Sequence, residues 1–164
     1  MRNAHAYLGL GSNQGDRAAR IQEAVRRLQR APGCRVERLS GVYETEPVGP
    51  VPQGWFLNAV AACQTQLDPF ALLRPAKAIE AEMGRREGQR WGPRPIDIDL
   101  LIYEDVELHT ADLDLPHPEM WNRRFVLVPL QDVLPPGPLR SRVEEQLDTL
   151  IKPGRLVRPY GPGL

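Results

Sequence analysis

Hydrophobic and polar residues in the first part of the chain follow patterns typical of a strand, a helix and two further strands. Residues 5–11 form a short, largely apolar run that predicts the first strand. Apolar residues then recur at helical spacing and predict an amphipathic helix over residues 16–30, which Asp16 can cap. Residues 34–44 alternate well enough for a second strand, and residues 55–67 predict a third.

The second part of the chain continues this order. The Asp-Pro pair at 68–69 is typical of a helix start, and apolar spacing beyond it predicts a second helix. Residues 96–103 predict a fourth strand, and residues 124–133 and 141–150 predict two more helices. Residues 158–164, rich in proline and glycine, predict a loose tail.

The predicted order of elements indicates an α+β fold. Strand–helix–strand–strand–helix–strand is the βαββαβ order of a ferredoxin-like sandwich, with a mainly antiparallel sheet, helices on one face and extra C-terminal elements. A doubly wound parallel sheet would need a helix between the second and third strands, where the proline-rich segment 46–54 lies instead. We expect one domain over residues 1–164, with the tail after about 151 peripheral.

Composition narrows the class of protein. The chain of 164 residues has 21 Lys and Arg against 21 Asp and Glu, and this zero net charge argues against nucleic-acid binding through bulk positive charge. No apolar run is long enough for a signal peptide or a membrane span. Cys34 and Cys63 lie far apart and predict free thiols in a reducing compartment. We therefore expect a cytoplasmic protein, and nothing in the sequence demands more than a monomer.

Two acids stand inside the fourth predicted strand, at Asp97 and Asp99. Residues two apart in a strand point to the same face, about 7 Å apart. Two carboxylates so close need a counter-charge, and their hard oxygen atoms suit Mg²⁺, which is commonly held by one or two carboxylates plus substrate phosphates. The alternative is a pair of solvated aspartates at a strand edge.

A basic loop precedes these acids. Residues 84–94 hold four arginines against one glutamate, in a segment broken by glycine and proline rather than on a helix. Guanidinium groups beside a metal-binding acid pair suit a polyphosphate substrate, because they bind phosphate oxygens that the metal leaves free. The alternative is a solvated basic loop that balances the acids. The arginines are Arg85, Arg86, Arg90 and Arg94.

Asn58 lies in an otherwise apolar predicted strand beside two aromatic residues, Trp55 and Phe56. A buried amide needs hydrogen-bond partners, and a planar heterocycle between aromatic faces could supply them. An asparagine bonded to neighbouring backbone is an equally good interpretation. His117, Arg123 and Phe125 offer further candidate contacts, but each has an ordinary structural explanation.

The glycine-rich segment 9–15 lies between a predicted strand and a predicted helix, where a dinucleotide fingerprint would lie. That fingerprint needs glycine where Gln14 stands, and no Walker lysine follows. We interpret the segment as a tight turn with close backbone packing.

Taken together, these segments resemble the 6-hydroxymethyl-7,8-dihydropterin pyrophosphokinase family over about residues 5–135. The most specific segment is RWGPRPIDIDLLIY at 90–103. GLGSNQGD, YETEPVGP, FLNAV and LPHPEMWNRRFVLVPL follow the order found in the family. The resemblance implies a ferredoxin-like fold and transfer of diphosphate from ATP to the hydroxymethyl oxygen of the pterin, with AMP as the other product, in folate biosynthesis.

The resemblance also implies roles for individual residues. Asp97 and Asp99 would hold two Mg²⁺ ions, and Arg85 and Arg94 would stabilise charge on the departing AMP. Whether Asp97 also accepts the hydroxyl proton, and whether Arg86 or Arg90 takes the second phosphate contact, stays open. The residues implied for ATP are Glu80, Arg86, Trp91, Arg94, Ile98, His117 and Arg123. Those implied for the pterin are Thr45, Pro47, Val48, Phe56, Asn58, Trp91 and Phe125.

Two other classes of function compete with this interpretation. One is a different Mg²⁺-dependent, nucleotide-using transferase, which would need the acid pair but not the ring-binding residues Asn58 and Phe125. The other is a non-catalytic ferredoxin-like module that binds a metabolite.

Overall fold

The main sheet and its helices follow the predicted βαββαβ order, with further elements after it. The computed structural model describes residues 3–47, 49–84, 94–150 and 156–161. Its elements are β1 (Ala4–Ser12), α1 (Arg17–Arg30), β2 (Cys34–Leu39), β3 (Tyr43–Thr45), β4 (Phe56–Thr65), α2 (Pro69–Glu82), β5 (Asp97–Tyr103), β6 (Leu108–His109), β7 (Asp114–Leu115), a short 3-10 helix (Met120–Asn122), α3 (Arg124–Val133), α4 (Pro138–Thr149) and β8 (Val157–Pro159).

The sheet places β1 and β4 at its centre. The strand order is β5-β1-β4-β3-β8, with β2 also paired to β4, and every pair is antiparallel. This antiparallel order is that of a ferredoxin-like sheet, and the predicted fold class is confirmed. Strands β6 and β7 form a separate two-stranded ladder that the sequence pattern did not predict.

Both helices of the ferredoxin-like unit begin at the aspartates that the sequence indicated. Asp16 accepts a hydrogen bond from the backbone N–H of Ala19 at 3.1 Å, and Asp68 accepts one from Ala71 at 2.9 Å. Each carboxylate satisfies a donor that the first helical turn leaves unpaired, which stabilises a helix by about 1 kcal/mol. Over the described ranges of the chain, every helix is too short or too polar to cross a lipid bilayer.

Helices cover both faces of the sheet. Ile21 of α1 and Leu72 of α2 pack with Ile98 of β5 in one buried cluster. Leu127 of α3 packs with Tyr7 of β1 in a second cluster on the opposite face. The prediction that the helices lie on one face of the sheet therefore holds for α1 and α2. The C-terminal helices α3 and α4 cover the opposite face.

The prediction of one strand over residues 34–44 is wrong in detail. Both β2 and β3 pair with β4, but Ser40 lies between them and breaks the ladder. Its backbone N–H donates to the carbonyl of Val60 at 2.9 Å, while its hydroxyl accepts from the N–H of Val60 at 2.8 Å. One side chain thus takes the place of a backbone acceptor, and the strand divides there.

The prediction of a loose tail over residues 158–164 is also wrong for its described part. β8 forms an antiparallel pair with β3, opposite the edge that β4 occupies. The tail was mispredicted because three residues that include arginine and proline have no strand pattern of their own, and their pairing partner lies more than a hundred positions earlier in the chain.

Candidate active site

A cleft of about 320 Å³ opens on the face of the sheet that carries Asp97 and Asp99. Strands β1, β4 and β5 form its floor, and the segment around residues 117–126 forms one wall. Residues far apart in the sequence meet here because the antiparallel sheet places their strands side by side. The predicted site residues that line it are Thr45, Phe56, Asn58, Arg94, Asp97, Asp99, His117, Arg123 and Phe125.

The acid pair lies on one face of β5, as its spacing predicted. Asp97 and Asp99 are half-buried and line the cleft, whereas Ile98 between them is fully buried on the opposite face. The neighbouring residues on β1 are glycines: Gly11 lies opposite Asp97, and Gly9 lies opposite Asp99. Because glycine has no side chain, Gly9 and Gly11 leave space on the floor of the cleft beside the two carboxylates.

Gly11 is also required by the close approach of Asn58. A Cβ atom at position 11 would lie 2.7 Å from the Oδ1 atom of Asn58, which is closer than such atoms can come. The amide Nδ2 of Asn58 donates to the hydroxyl of Thr45 at 2.7 Å. Asn58 is therefore held by Thr45 with its amide at the cleft, which fits recognition of a hydrogen-bonding ligand edge.

Aromatic residues line the cleft from two elements. Phe56 begins β4, and Phe125 lies in the first turn of α3. The guanidinium carbon of Arg123 lies 5.6 Å from the centroid of the Phe125 ring, and Arg123 also forms an ion pair with Glu119. A cation over an aromatic face and a partner carboxylate both restrict the arginine, so its charge is fixed at the cleft wall.

His117 is positioned by backbone groups. Its N–H donates to the carbonyl of Leu101 at 2.8 Å, and its Nδ1 atom accepts from the N–H of Glu119 at 3.3 Å. Burial, together with the positive charge of Arg123, lowers the pKa of His117 below its ordinary value. The ring is therefore neutral near pH 7, with its proton on Nε2, and can donate one hydrogen bond to a ligand.

Asn13 connects two loops at the entrance to the cleft. Its backbone N–H donates to the carbonyl of Arg94 at 3.0 Å, and its Oδ1 atom accepts from the N–H of Arg94 at 2.7 Å. Its Nδ2 group donates to Gln53 at 2.7 Å and to the carbonyl of Gly54 at 3.0 Å. The sequence predicts a tight turn with close backbone packing here. In the structure, the Asn13 side chain also links Gln53 and Gly54 to Arg94, which lies three residues before the start of β5.

Two predicted ATP contacts lie away from the cleft. Glu80 is buried in α2, where it accepts a hydrogen bond from the backbone N–H of Ile98 at 2.7 Å and pairs with Lys77 at 3.2 Å. Ile98 itself packs in the core between the sheet and α1 and α2. In this structure Glu80 fixes β5 against α2, and contact of either residue with ATP stays a prediction.

Other predicted residues fall elsewhere. Pro47 is half-buried in the loop after Thr45 and is not among the described residues that line the cleft. Val48 lies outside the described residues, as do the four predicted residues of the basic loop: Arg85, Arg86, Arg90 and Trp91.

Several lining residues were not predicted as functional. Among them are Gly9, Gly11, Glu46, Gln53 and Glu119. The glycines had a usable signal, since two glycines at alternate positions of a buried strand indicate that something approaches one face closely. The polar residues had none, because their place at the cleft depends on how the loops fold over the sheet.

The donor set of the cleft fits Mg²⁺. Asp97 and Asp99 supply carboxylate oxygens, which this ion prefers, and two carboxylates leave room for substrate phosphates and water in its shell. In the part of the chain that the structure describes, no group of three or more His, Cys, Asp or Glu side chains could enclose an ion. Two carboxylates beside the positive charges of Arg94 and Arg123 suit a metal that shares its coordination shell with substrate phosphates.

A ferredoxin-like sheet with an acid pair, flanking arginines and an aromatic, amide-bearing slot is typical of an enzyme that handles a phosphorylated compound and a flat heterocycle. Comparison with known proteins agrees. The family model for 7,8-dihydro-6-hydroxymethylpterin-pyrophosphokinase (HPPK) matches residues 7–135. The chain belongs to this family.

Individual relatives support the assignment. A 2-amino-4-hydroxy-6-hydroxymethyldihydropteridine pyrophosphokinase of Methylorubrum extorquens is 50% identical over 130 residues, covering 79% of this chain and 82% of the relative. The protein of the same name from Bacillus subtilis is 43% identical over 131 residues, covering 80% and 78%. A crystal structure of an HPPK-DHPS in complex with substrates shares the fold, with a TM-score of 0.67 at 16% identity. That match covers 91% of this chain and 44% of the longer one.

Proposed function

We propose that this chain transfers diphosphate from ATP to the hydroxymethyl group of 6-hydroxymethyl-7,8-dihydropterin, in folate biosynthesis, and releases AMP. The observation that supports this most is that the family match over residues 7–135 includes every described residue that lines the cleft. The cleft joins an acid pair to a ring-binding slot, which are the two halves that such a reaction needs.

The chemistry requires one bond to form and one to break. The hydroxymethyl oxygen of the pterin attacks the β-phosphorus of ATP, and the bond from that phosphorus to the α,β-bridging oxygen breaks. AMP leaves with the bridging oxygen, and the hydroxyl proton passes to a base. Because the protein forms no covalent bond, its contribution is positioning and electrostatic stabilisation.

The phosphate half of the cleft is assigned to Asp97, Asp99 and Arg94. The two aspartates would hold two Mg²⁺ ions, which when bound neutralise the triphosphate and polarise its oxygens. The guanidinium of Arg94 would stabilise negative charge on the departing AMP. We also assign Arg85, Arg86 and Trp91 to ATP, and we place the nucleotide beside His117 and Arg123. Trp91 is assigned to the pterin as well.

The other half of the cleft is assigned to the pterin. Phe56 and Phe125 would contact the faces of the ring, and the Asn58 amide would bond its polar edge. Thr45 holds that amide at 2.7 Å, so the recognition group is ordered before the ligand arrives. Pro47 and Val48, in the loop after Thr45, would complete this side.

Further features concern the whole molecule. We propose that the working unit is a monomer. Cys34 and Cys63 are both buried free thiols, which suits the reducing conditions of a cytoplasm.

The test is product analysis with the purified chain, ATP, Mg²⁺ and the pterin alcohol. We expect AMP and the pterin diphosphate in equal amounts, and neither product from the Asp97→Asn variant. Asp148→Asn, on the exposed side of α4, is the matched control and should be fully active. ADP in place of AMP would indicate a different nucleotide-using transferase, and unchanged ATP would indicate a binding module; either result overturns the proposal.

A further inference from the structure

The described C-terminal residues form the last strand of the main sheet, outside the family match over residues 7–135. β8 pairs antiparallel with β3, and bonds at both ends extend the pairing. The N–H of Tyr160 donates to the carbonyl of Val42 at 2.8 Å. The N–H of Glu46 donates to the carbonyl of Leu156 at 3.3 Å, and the N–H of Leu156 donates to the carboxylate of Glu46 at 2.8 Å.

Two arginines hold the residues that lie beside this pairing. Arg158 of β8 donates through Nε and Nη2 to Glu44 at 3.1 and 2.7 Å, and Arg17 of α1 reaches the other oxygen of Glu44 at 2.9 Å. The guanidinium of Arg158 also lies 4.7 Å from the centroid of the Trp55 ring, while Arg17 donates to the carbonyl of Trp55 at 2.9 Å. The hydrogen bonds from Arg158 and Arg17 lower the pKa of Glu44, which keeps it ionised.

Glu44 and Trp55, which these two arginines bind, each immediately precede a residue that lines the cleft. Glu44 precedes Thr45, and Trp55 precedes Phe56. Thr45 and Phe56 are direct cross-strand partners, and both line the cleft. Because neighbouring side chains of a strand point to opposite faces, Glu44 lies behind the wall that Thr45 presents to the ligand.

We infer that strand β8, with Arg158 as its positioning residue, holds the pterin side of the cleft in binding geometry. β3 has only three residues, and without β8 it would be a short edge strand from which the loop after Thr45 emerges. Glu46, at the start of that loop, lines the cleft and is bonded to Leu156. This inference rests on the proposed function.

The experiment measures steady-state kinetics of full-length Arg158→Ala with each substrate varied in turn. The side chain of Arg158 is 59% exposed, so we expect the variant to fold. KM for the pterin alcohol should rise roughly three- to thirtyfold, the range for residues that act through neighbours. KM for ATP should stay within about twofold of the parent value, because Asp97 and Asp99 lie on β5, at the opposite end of the strand order from β8.

Two further variants separate positioning from general damage. Arg158→Lys keeps a charge for Glu44 but loses the planar fork and the stack on Trp55, so its KM for the pterin should lie between those of the parent and Arg158→Ala. Arg26→Ala is the matched control: Arg26 is an exposed arginine of α1 that pairs with Glu23. Its kinetic constants should equal those of the parent.

The outcomes distinguish this inference from the proposed function. If the parent chain forms no AMP with the pterin alcohol, both fail. If the parent is active and Arg158→Ala has the same pterin KM as Arg26→Ala, or raises both KM values equally, only the inference fails. Should Arg158→Ala prove insoluble, Arg158→Lys decides, and an unchanged pterin KM for that variant overturns the inference.

Discussion

Asn13 and Arg94 bind each other through two hydrogen bonds, one from each backbone N–H, although 81 positions separate them in the sequence. The same asparagine side chain donates to Gln53 and to the carbonyl of Gly54. The Asn13 side chain therefore holds the segment of Gln53 and Gly54, on the pterin side, in a fixed position relative to Arg94, which precedes the acid pair. The two halves of the cleft are aligned by a residue that need not touch either substrate.

Asn13→Ala removes these side-chain bonds. We expect kcat/KM to fall roughly 10- to 100-fold, because small displacements of positioning groups slow the reaction strongly. The free energy of unfolding should fall by about 1–3 kcal/mol, because these side-chain hydrogen bonds are lost. Asn13→Asp keeps the acceptor for Arg94 and should lose less. Asn3→Ala, at an exposed position, is the control; a kcat/KM for Asn13→Ala equal to that of the control would contradict the alignment role.

Asp99→Asn tests the acid pair without changing side-chain shape. Removing a charge that acts on the developing transition state should lower kcat roughly 10²- to 10³-fold. Urea denaturation should show a change in unfolding free energy of no more than about 1 kcal/mol, since the residue is half-buried at the cleft. A variant that kept the parent kcat while losing stability would show that the carboxylate is structural.

Gly11→Ala places a Cβ atom 2.7 Å from the Oδ1 atom of Asn58. We expect the Kd for the pterin to rise at least about tenfold and the unfolding free energy to drop by about 1–3 kcal/mol, because the amide must move. In an Asn58→Ala background the same change should destabilise the protein much less. Gly161→Ala, with no heavy atom within 4 Å of the added Cβ, is the control. Equal effects of Gly11→Ala in both backgrounds would rule out the proposed contact.

His117 makes stability depend on pH. Its pKa is lowered in the folded protein, so between about 6.5, the ordinary value, and that lower value the unfolded chain binds a proton that the folded chain does not. The contribution of His117 to the free energy of unfolding is therefore fully present above about pH 6.5 and is lost as the pH falls through the lowered pKa. His117→Gln should lose less unfolding free energy than the parent between about pH 7.5 and 5.5. Identical pH dependence of His117→Gln and the parent would refute the assignment.

Local sequence patterns predicted the features that depend on neighbouring residues. The common face of Asp97 and Asp99 follows from strand alternation alone, and the starts of α1 and α2 follow from Asp16 and Asp68 with the apolar spacing beyond them. The βαββαβ order then limits how the strands pair, so the meeting of β1, β4 and β5 under the cleft follows from the same reasoning.

Features that depend on distant partners could not be predicted in this way. Glu80 accepts a hydrogen bond from the backbone N–H of Ile98, a contact that its residue type and helical position do not reveal. Ser40 ends a strand because of where Val60 lies, and β8 exists because β3 offers it an edge. In each case the deciding contact joins segments whose spacing only the folded chain defines.

The most direct test of the central claim is anomalous diffraction from crystals grown with Mn²⁺, a non-hydrolysable ATP analogue and the pterin. The account predicts metal peaks at the carboxylates of Asp97 and Asp99, phosphate oxygens around them, and the ring between Phe56 and Phe125. It also predicts loss of those peaks in crystals of the Asp97→Asn, Asp99→Asn double variant. Nucleotide bound with its metal away from both aspartates would contradict it.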